Sequence, residues 1–312
     1  MKVQLNLDYD SLEVTRLELY KKIKVMRLPG IISLIAGFIL SIIVSFDLNI
    51  PLIVISIILI ILGFILLFIA MFRSNKASSL LKERIFLDVL KQMYGDDVSY
   101  APMEKLDANE MVKTGQYRKP DAIIGQDLII GSYKGVSFKT SDMTLQEVHT
   151  DSDGNTTTTT YFKGRYIIYY LKRNFNHTLS IIERKFLNSL FSNKTPSGQK
   201  LVKVETESIA FNKKFDVRSD DKIFAFYIIN PAFMEDIIAI EAMTKGNITC
   251  YLRGNEFHLG LETKEETIKF KVSKPLTKDY VESLFGGLAL MAELIDNIRL
   301  DMPKFNSPNG GI

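Results

Sequence analysis

Two uncharged segments decide the fold of this chain: LPGIISLIAGFILSIIVSF at residues 28–46 and LIVISIILIILGFILLFIAMF at residues 52–72. A helix of about twenty apolar residues crosses a hydrocarbon core of roughly 30 Å with its backbone polar groups hydrogen-bonded internally. The link between the segments, residues 47–51, has room only for a tight turn. The sequence therefore predicts a transmembrane helical hairpin at residues 28–72. A cleaved signal peptide is the disfavoured alternative, because a second span follows at once.

Basic residues flank the hairpin on its two outer sides: Arg16, Lys21, Lys22, Lys24 and Arg27 before it, and Arg73, Lys76, Lys82 and Arg84 after it. The link contains none. Because positively charged flanks stay on the cytoplasmic side, we predict a protein of the plasma (inner) membrane with two spans and with both termini and the main domain in the cytoplasm. Neither span contains an ionisable side chain, which indicates an anchor in the lipid bilayer rather than an ion pathway.

Apolar residues continue beyond the hairpin at alternating spacings of four and three. Before it they are Leu5, Tyr9, Leu12, Leu19, Ile23 and Met26, interrupted by Arg16, and after it they are Leu81, Ile85 and Val89. This spacing predicts cytoplasmic helices at residues 1–27 and 73–97 that extend the hairpin as an antiparallel pair. The alternative interpretation is a seam for homo-oligomerisation.

The residue pattern of 98–300 predicts a β-rich domain. Ile- and Tyr-rich runs predict strands at residues 127–138, 161–171, 178–182, 201–204, 222–229, 248–252, 257–261 and 267–272. Asn230 followed by Pro231 predicts a helix start, and an apolar stripe predicts a last helix at 277–299. Residues 301–312 read as a disordered tail. The predicted fold class is α+β: the transmembrane hairpin with helical extensions, then a β-rich mixed cytoplasmic domain with two packed helices.

Two segments of this domain carry more specific expectations. KIFAFYII at residues 222–229 places apolar side chains on both sides of an extended chain, which predicts a central strand buried on both faces with Phe226 in the core. HTDSDGNTTTTT at residues 149–160 contains the turn signal Asp153-Gly154 and predicts an exposed β-arm.

The composition provides few residues for a catalytic, metal or nucleic-acid-binding site. A formal charge of +3 is too small to suggest a nucleic-acid binder, and a single cysteine, Cys250, excludes a disulfide framework and a cysteine-rich zinc site. Cys250 alternates with apolar residues, so we interpret it as buried. His149, His177 and His258 share no local ligand spacing, and the arm lacks the glycine and glutamate positions of a calcium loop. We therefore predict no metal and no cofactor.

FNKKFDVRSDDKIFAFYIINPAFMEDIIAIE, at residues 211–241, resembles the signature block of domain-of-unknown-function family 3137 (DUF3137), bacterial proteins with two N-terminal spans and a cytoplasmic domain. GSYKGVSFKTSDM at residues 131–143 and YFKGRYIIY at residues 161–169 are similar to strands of the family. The resemblance implies the same domain order and no established activity. It also implies a partner, because the family's genes often lie near those of LemA-type membrane proteins. The threonine run at 156–160 and the absence of tryptophan depart from the family.

Two classes of function follow from these residues. The first is a membrane-tethered binding or scaffolding protein. The second is an enzyme acting on a membrane-proximal substrate through the carboxylates Asp216, Asp220 and Glu207, although adjacent aspartates such as Asp220 and Asp221 more often accept backbone hydrogen bonds in a turn. We favour the first class, because no nucleophile, base and orienting group can be assembled from the sequence.

Overall fold

The computed structural model describes residues 9–45, 49–186, 198, 200–244, 246–268 and 270–307. The chain divides into two compact units, one containing residues 6–86 and 270–283 and the other residues 87–269 and 284–312. The described helices are α1 Tyr9–Val44, α2 Ile50–Tyr94, α3 Ala108–Val112, α4 Ile209–Lys214, α5 Lys222–Ile228, α6 Pro231–Thr244, α7 Lys278–Ile298 and α8 Pro303–Asn306. The described strands are β1 Ser99–Ala101, β2 Ala122–Tyr133, β3 Val136–Thr150, β4 Thr156–Glu183, β5 Val202–Lys203, β6 Phe215–Ser219 and β7 Asn247–Glu262. The α+β prediction is confirmed.

The first unit is built on the close packing of α1 against α2. A Cβ atom added to Gly37 would lie 2.7 Å from Cγ1 of Ile60, and one added to Gly63 would lie 2.6 Å from Cγ of Leu34. The Ser33 hydroxyl donates to a main-chain carbonyl of α2 at 2.8 Å. Small residues that let two backbones approach are typical of helix pairs in membranes. Both helices are long and apolar enough to cross one.

The flanking helices predicted at 1–27 and 73–97 are continuous with the apolar segments. Within the described residues α1 begins at Tyr9, and α2 runs to Tyr94, where Gly95 takes a φ of 91°. The Gly95 N–H donates to the Lys91 carbonyl at 2.9 Å, which closes the helix with a left-handed residue that glycine adopts without steric cost.

Arg16, the polar interruption of the predicted seam, is 3% exposed and organises the rest of this unit. It pairs with Glu13 at 2.6 Å and donates to the Val272 carbonyl, also at 2.6 Å. Glu13 in turn accepts the Leu276 N–H at 2.8 Å. The strand predicted at residues 267–272 is wrong for the described residues there. The Thr267 N–H donates to the Asp142 side chain at 2.7 Å and the Val272 carbonyl accepts from Arg16, so side chains satisfy these backbone groups.

The second unit contains one antiparallel sheet in the order β1-β2-β3-β4-β6-β5, with β7 also paired to β4. The strands predicted at 161–171 and 178–182 are parts of the single long strand β4, and those at 248–252 and 257–261 are parts of β7. The strand predicted at 127–138 is instead divided by a tight turn, in which Lys134 and Gly135 have φ values of 49° and 77°. This pair of positive φ angles is typical of a two-residue hairpin.

The arm at 149–160 is a β-hairpin, as predicted. Strands β3 and β4 stay paired as far as Thr150 and Thr156, and the threonines of the arm are exposed. In the turn, Asp151 accepts the N–H groups of Asp153 and Asn155 at 3.0 and 2.8 Å. These hydrogen bonds lower the pKa of Asp151, with the side chain of Asn155 making the largest contribution. The Asp151 carboxylate therefore stabilises the hairpin turn by accepting its backbone N–H groups.

The central strand predicted at residues 222–229 is wrong, because these residues form helix α5. The Asp221 side chain accepts the Phe224 N–H at 2.7 Å and so caps the helix. Phe224 and Ile228, four residues apart, are buried, while Phe226 is 51% exposed. A short apolar run does not by itself distinguish a strand from a helix, and here the capping aspartate favours the helix.

The two helices predicted after this segment are confirmed. Asn230 caps α6 by accepting the Phe233 N–H at 2.9 Å. In α7, a Cβ atom on Gly287 would lie 2.7 Å from Cγ2 of Thr267, so glycine is needed for a close approach. The disordered tail predicted at 301–312 is wrong at α8, which buries Phe305; residues 308–312 lie outside the described residues.

Candidate functional site

Helix α5 presents an apolar face to solvent. Ile223 is 73% exposed and Phe226 is 51% exposed, whereas Phe224 and Ala225 on the opposite side are buried. Tyr227, four residues after Ile223, is half-buried on the same side. Residues three and four apart are neighbours on a helix surface. Large apolar side chains grouped on a solvent-facing surface mark an interaction site more often than scattered ones do.

A groove of about 410 Å³ runs beside this face, between α5 and the sheet edge at β5. Its lining residues are Lys203, Val204, Glu205, Lys222 and Phe226. Lys203 and Glu205 pair with each other at 2.9 Å, so their charges are matched within the groove. The groove is open, and Glu205 is the only carboxylate among the described residues that line it, which suits a docked side chain better than a reacting substrate.

Two cations lie against the ring of Tyr227, near the C-terminal end of α5. The guanidinium carbon of Arg173 is 5.3 Å from the ring centroid, and Nζ of Lys304 is 5.2 Å from it. Arg173 donates to the Tyr227 hydroxyl at 2.8 Å, and Lys304 donates to the Ile228 carbonyl at 2.9 Å. Burial, together with the charge of Arg173, lowers the pKa of Lys304 to about 8. We call these three residues, Arg173, Tyr227 and Lys304, the cation pair site.

The predicted catalytic candidates do not form a common site. Asp216 is buried and accepts from Nε of Arg218 at 2.5 Å. Asp220 accepts the Thr178 N–H at 2.9 Å, and Glu207 is exposed. Asp216 lies in β6, whereas Asp220 lies in the bend that follows the strand. Asp216 and Asp220 are thus already held by neighbouring donors.

The sequence did not single out a buried polar chain around His258, which is 1% exposed. Nδ1 of His258 lies 3.0 Å from the Tyr166 hydroxyl, and Nε2 lies 3.0 Å from Glu256. Lys113 also pairs with Glu256 at 2.8 Å. Burial lowers the pKa of His258, while hydrogen bonds from His258 and Lys113 lower that of Glu256 to about 2. The only signal in the sequence was that Glu256 and His258 are two residues apart along a strand, which places them on the same face. The geometry describes a neutral histidine hydrogen-bonded within the core.

The remaining predicted positions lie apart from one another. His149 is exposed on the arm near Glu147, and His177 lies 3.4 Å from Asp220. Cys250 is buried, and burial raises the pKa of its thiol well above the ordinary value, which disfavours the thiolate that a nucleophile requires. Within the part of the chain that the structure describes, no group of three or more His, Cys, Asp or Glu residues is placed to hold a metal ion.

Comparison with protein families identifies this part of the molecule. Residues 160–300 match the family model described as protein of unknown function, DUF3137. The matched segment is a DUF3137 domain. The resemblance seen in the sequence is thereby confirmed for residues 160–300, whereas the similar stretch at residues 131–143 lies outside the match. The exposed face of α5, the groove and Arg173 all lie within the DUF3137 domain, whereas Lys304 follows its last matched residue.

Two further comparisons add little about the DUF3137 domain. The chain is similar to the crystal structure of the mycobacterial trehalose monomycolate transport factor A, TtfA, with 10% sequence identity and a TM-score of 0.37, over 64% of this chain and 88% of that one. A TM-score this low does not establish a common fold, and no function is transferred from it. A search of curated proteins finds no match.

Proposed function

We propose that this chain is a membrane-anchored binding or scaffolding protein, and that its DUF3137 domain docks a partner on the exposed face of α5. The observation that carries the proposal is the pair Ile223 and Phe226, 73% and 51% exposed beside an open groove. Leaving two large apolar side chains in water forgoes roughly 1–3 kcal/mol of burial each, which a docked partner recovers. A partner surface therefore accounts for residues that the fold itself does not need there.

The proposal includes the location of the protein. Helices α1 and α2 would cross the plasma membrane, with the basic flanks, both termini and the DUF3137 domain in the cytoplasm. The division predicted from the sequence, with an anchor at 28–72, helices at 1–27 and 73–97 and the main domain at 98–300, is kept as part of this proposal. A LemA-type membrane protein is the partner that the family association favours, and a second copy of the chain is the alternative occupant.

The enzyme alternative receives less support from the geometry. Asp216 is paired with Arg218 and Asp220 holds a backbone N–H, so neither carboxylate is left to act as a base without first losing a native contact. The groove beside α5 is lined by neither of them, nor by Glu207.

Site-specific photo-crosslinking in native membranes tests the proposal. A photoreactive phenylalanine analogue at Phe226 is expected to give a discrete crosslinked product, because a docked partner would lie within a few ångströms of it. Ile124, 61% exposed on β2 of the same unit, is the matched control and should give none. Identical products at both positions, or no product at Phe226, would contradict docking on α5.

A further inference from the structure

Among the residues that the structure describes, the cation pair site contains no counter-charge. Among the described residues, neither Arg173 nor Lys304 forms an ion pair with a carboxylate. Lys304 donates to the Ile228 carbonyl, and Arg173 uses Nη1 for the Tyr227 hydroxyl and the Lys304 carbonyl at 2.8 and 3.2 Å. Nε and Nη2 of Arg173 have no hydrogen-bond partner within the same described residues. Two neighbouring cations therefore retain donors for an external anion.

Local backbone structure holds Arg173 in this position. The pairing of β4 with β7 shifts register between Tyr170 and Phe175, and Arg173 lies within that irregular stretch. Such bulges redirect side chains and are common beside functional sites. Helix α8 brings Lys304 to the same place and is tied to β4, because the Lys172 N–H donates to the Asn306 side chain at 3.3 Å. The two cations are thus positioned by different elements.

The site is continuous with the apolar face of α5. Tyr227, against which both cations lie, follows Ile223 by four residues and Phe226 by one. An occupant of the apolar face would therefore extend directly to the two cations. Its chemistry should combine an apolar group with an anionic group.

We propose, on the basis of the binding function proposed above, that the docked partner is an acidic protein segment whose apolar side chain covers Ile223 and Phe226 and whose carboxylate binds Arg173 and Lys304. Arg173 presents a planar donor fork that matches a carboxylate. A protein segment fits better than a bilayer surface because Arg173 is only 6% exposed. A projecting Asp or Glu side chain can approach a guanidinium that is this little exposed, whereas a flat array of lipid headgroups is bound by lysines and arginines that project from the surface.

The test selects ligands from a library of random twelve-residue peptides displayed on phage, with the full-length chain in nanodiscs as the target. The wild-type chain should enrich peptides that place Asp or Glu next to Leu, Ile or Phe. Lys304→Glu should weaken binding of the enriched peptides at least about tenfold, equivalent to about 1.4 kcal/mol. Lys213→Glu, at an exposed lysine of α4, is the matched control and should leave their affinity unchanged.

A pH titration separates a charge contact from a structural effect. The affinity of an enriched acidic peptide should fall as the pH rises from 7 to 9 and Lys304, facing Arg173, loses its proton. Lys304→Arg should keep the affinity at pH 9, because a guanidinium stays charged. Should Lys304→Glu fail to reach the wild-type melting temperature, Lys304→Gln takes its place, with loss of binding as the same expected result.

The outcomes distinguish this inference from the function on which it rests. Enrichment of peptides without a carboxylate, or of acidic peptides that Lys304→Glu binds equally well, would overturn the proposal that the partner is an acidic segment. The proposed binding function would still stand if Phe226→Ser abolished capture of the enriched peptides. Binding of phosphatidylglycerol vesicles to the chain in nanodiscs, dependent on Lys304 and without peptide enrichment, would overturn the acidic segment in favour of a lipid. Absence of any enrichment would overturn the inference, while the crosslinking at Phe226 would decide the binding function separately.

Discussion

Replacing Phe224 and Phe226 separately by alanine distinguishes a helix at residues 222–228 from a strand buried on both faces. Phe224 is 5% exposed and packs against Phe175, with their ring centroids 5.6 Å apart. Deleting a buried phenylalanine side chain costs about 3–5 kcal/mol through lost contacts and the cavity that remains. For a domain of this size each kcal/mol lowers the melting temperature by roughly 2–4 °C, so Phe224→Ala should lower it by roughly 6–20 °C.

Phe226→Ala should behave differently because the side chain is 51% exposed. Full burial of a phenylalanine contributes about 1.5–3 kcal/mol, so a half-buried one contributes about 1 kcal/mol and its loss lowers the melting temperature by only roughly 2–4 °C. Ile223→Ala, at 73% exposure, is the matched control and should change stability even less. Partner capture should nevertheless be lost in Phe226→Ala and kept in a Phe224 variant that remains folded.

The assay is thermal unfolding of the full chain in detergent, followed by near-ultraviolet circular dichroism. The chain has no tryptophan but 13 tyrosines, so tyrosine signals must report the loss of packing. Equal destabilisation by Phe226→Ala and Phe224→Ala would refute the helix, because only an element covered on both faces would lose so much at both positions.

Three further predictions concern topology, pH and packing. A cysteine introduced at Asn49 should react with a membrane-impermeant thiol reagent added to intact cells, while one at Asn155 should not; the reverse pattern would overturn the cytoplasmic orientation. Burial holds the pKa of His258 below its usual 6.5, so the unfolded chain binds its proton more readily. Stability should therefore fall as the pH drops through 6.5, and His258→Gln should lack that part of the slope in chemical denaturation. Gly164→Ala should destabilise the chain by about 1–3 kcal/mol or more, because its Cβ would overlap the main-chain oxygen of Leu261 in β7. Gly286→Ala, with no described atom within 4 Å of its Cβ, should instead raise the free energy of unfolding by about 1 kcal/mol through the gain in helix propensity.

Local signals in the sequence predicted several elements correctly. The uncharged segments at 28–46 and 52–72 contain all the information that a long apolar helix needs, because helix hydrogen bonds form within the segment itself. Asn230-Pro231 likewise predicts the start of α6, since the cap reaches only three residues along the chain. The hairpin turn of the arm at 149–160 is local in the same sense.

The candidate site depended on tertiary structure. Arg173, Tyr227 and Lys304 come from β4, α5 and α8, separated by 54 and 131 residues from Arg173, and no local spacing relates them. The strand predicted at 222–229 failed because hydrophobicity records that a residue is apolar and not which neighbour covers it. Burial of Phe224 and exposure of Phe226 are decided by the sheet beneath α5. Composition and local patterning therefore determined the two long apolar helices, the fold class and the resemblance at residues 160–300, whereas long-range packing decided which apolar and charged side chains remained at the surface, because exposure depends on residues distant in the chain.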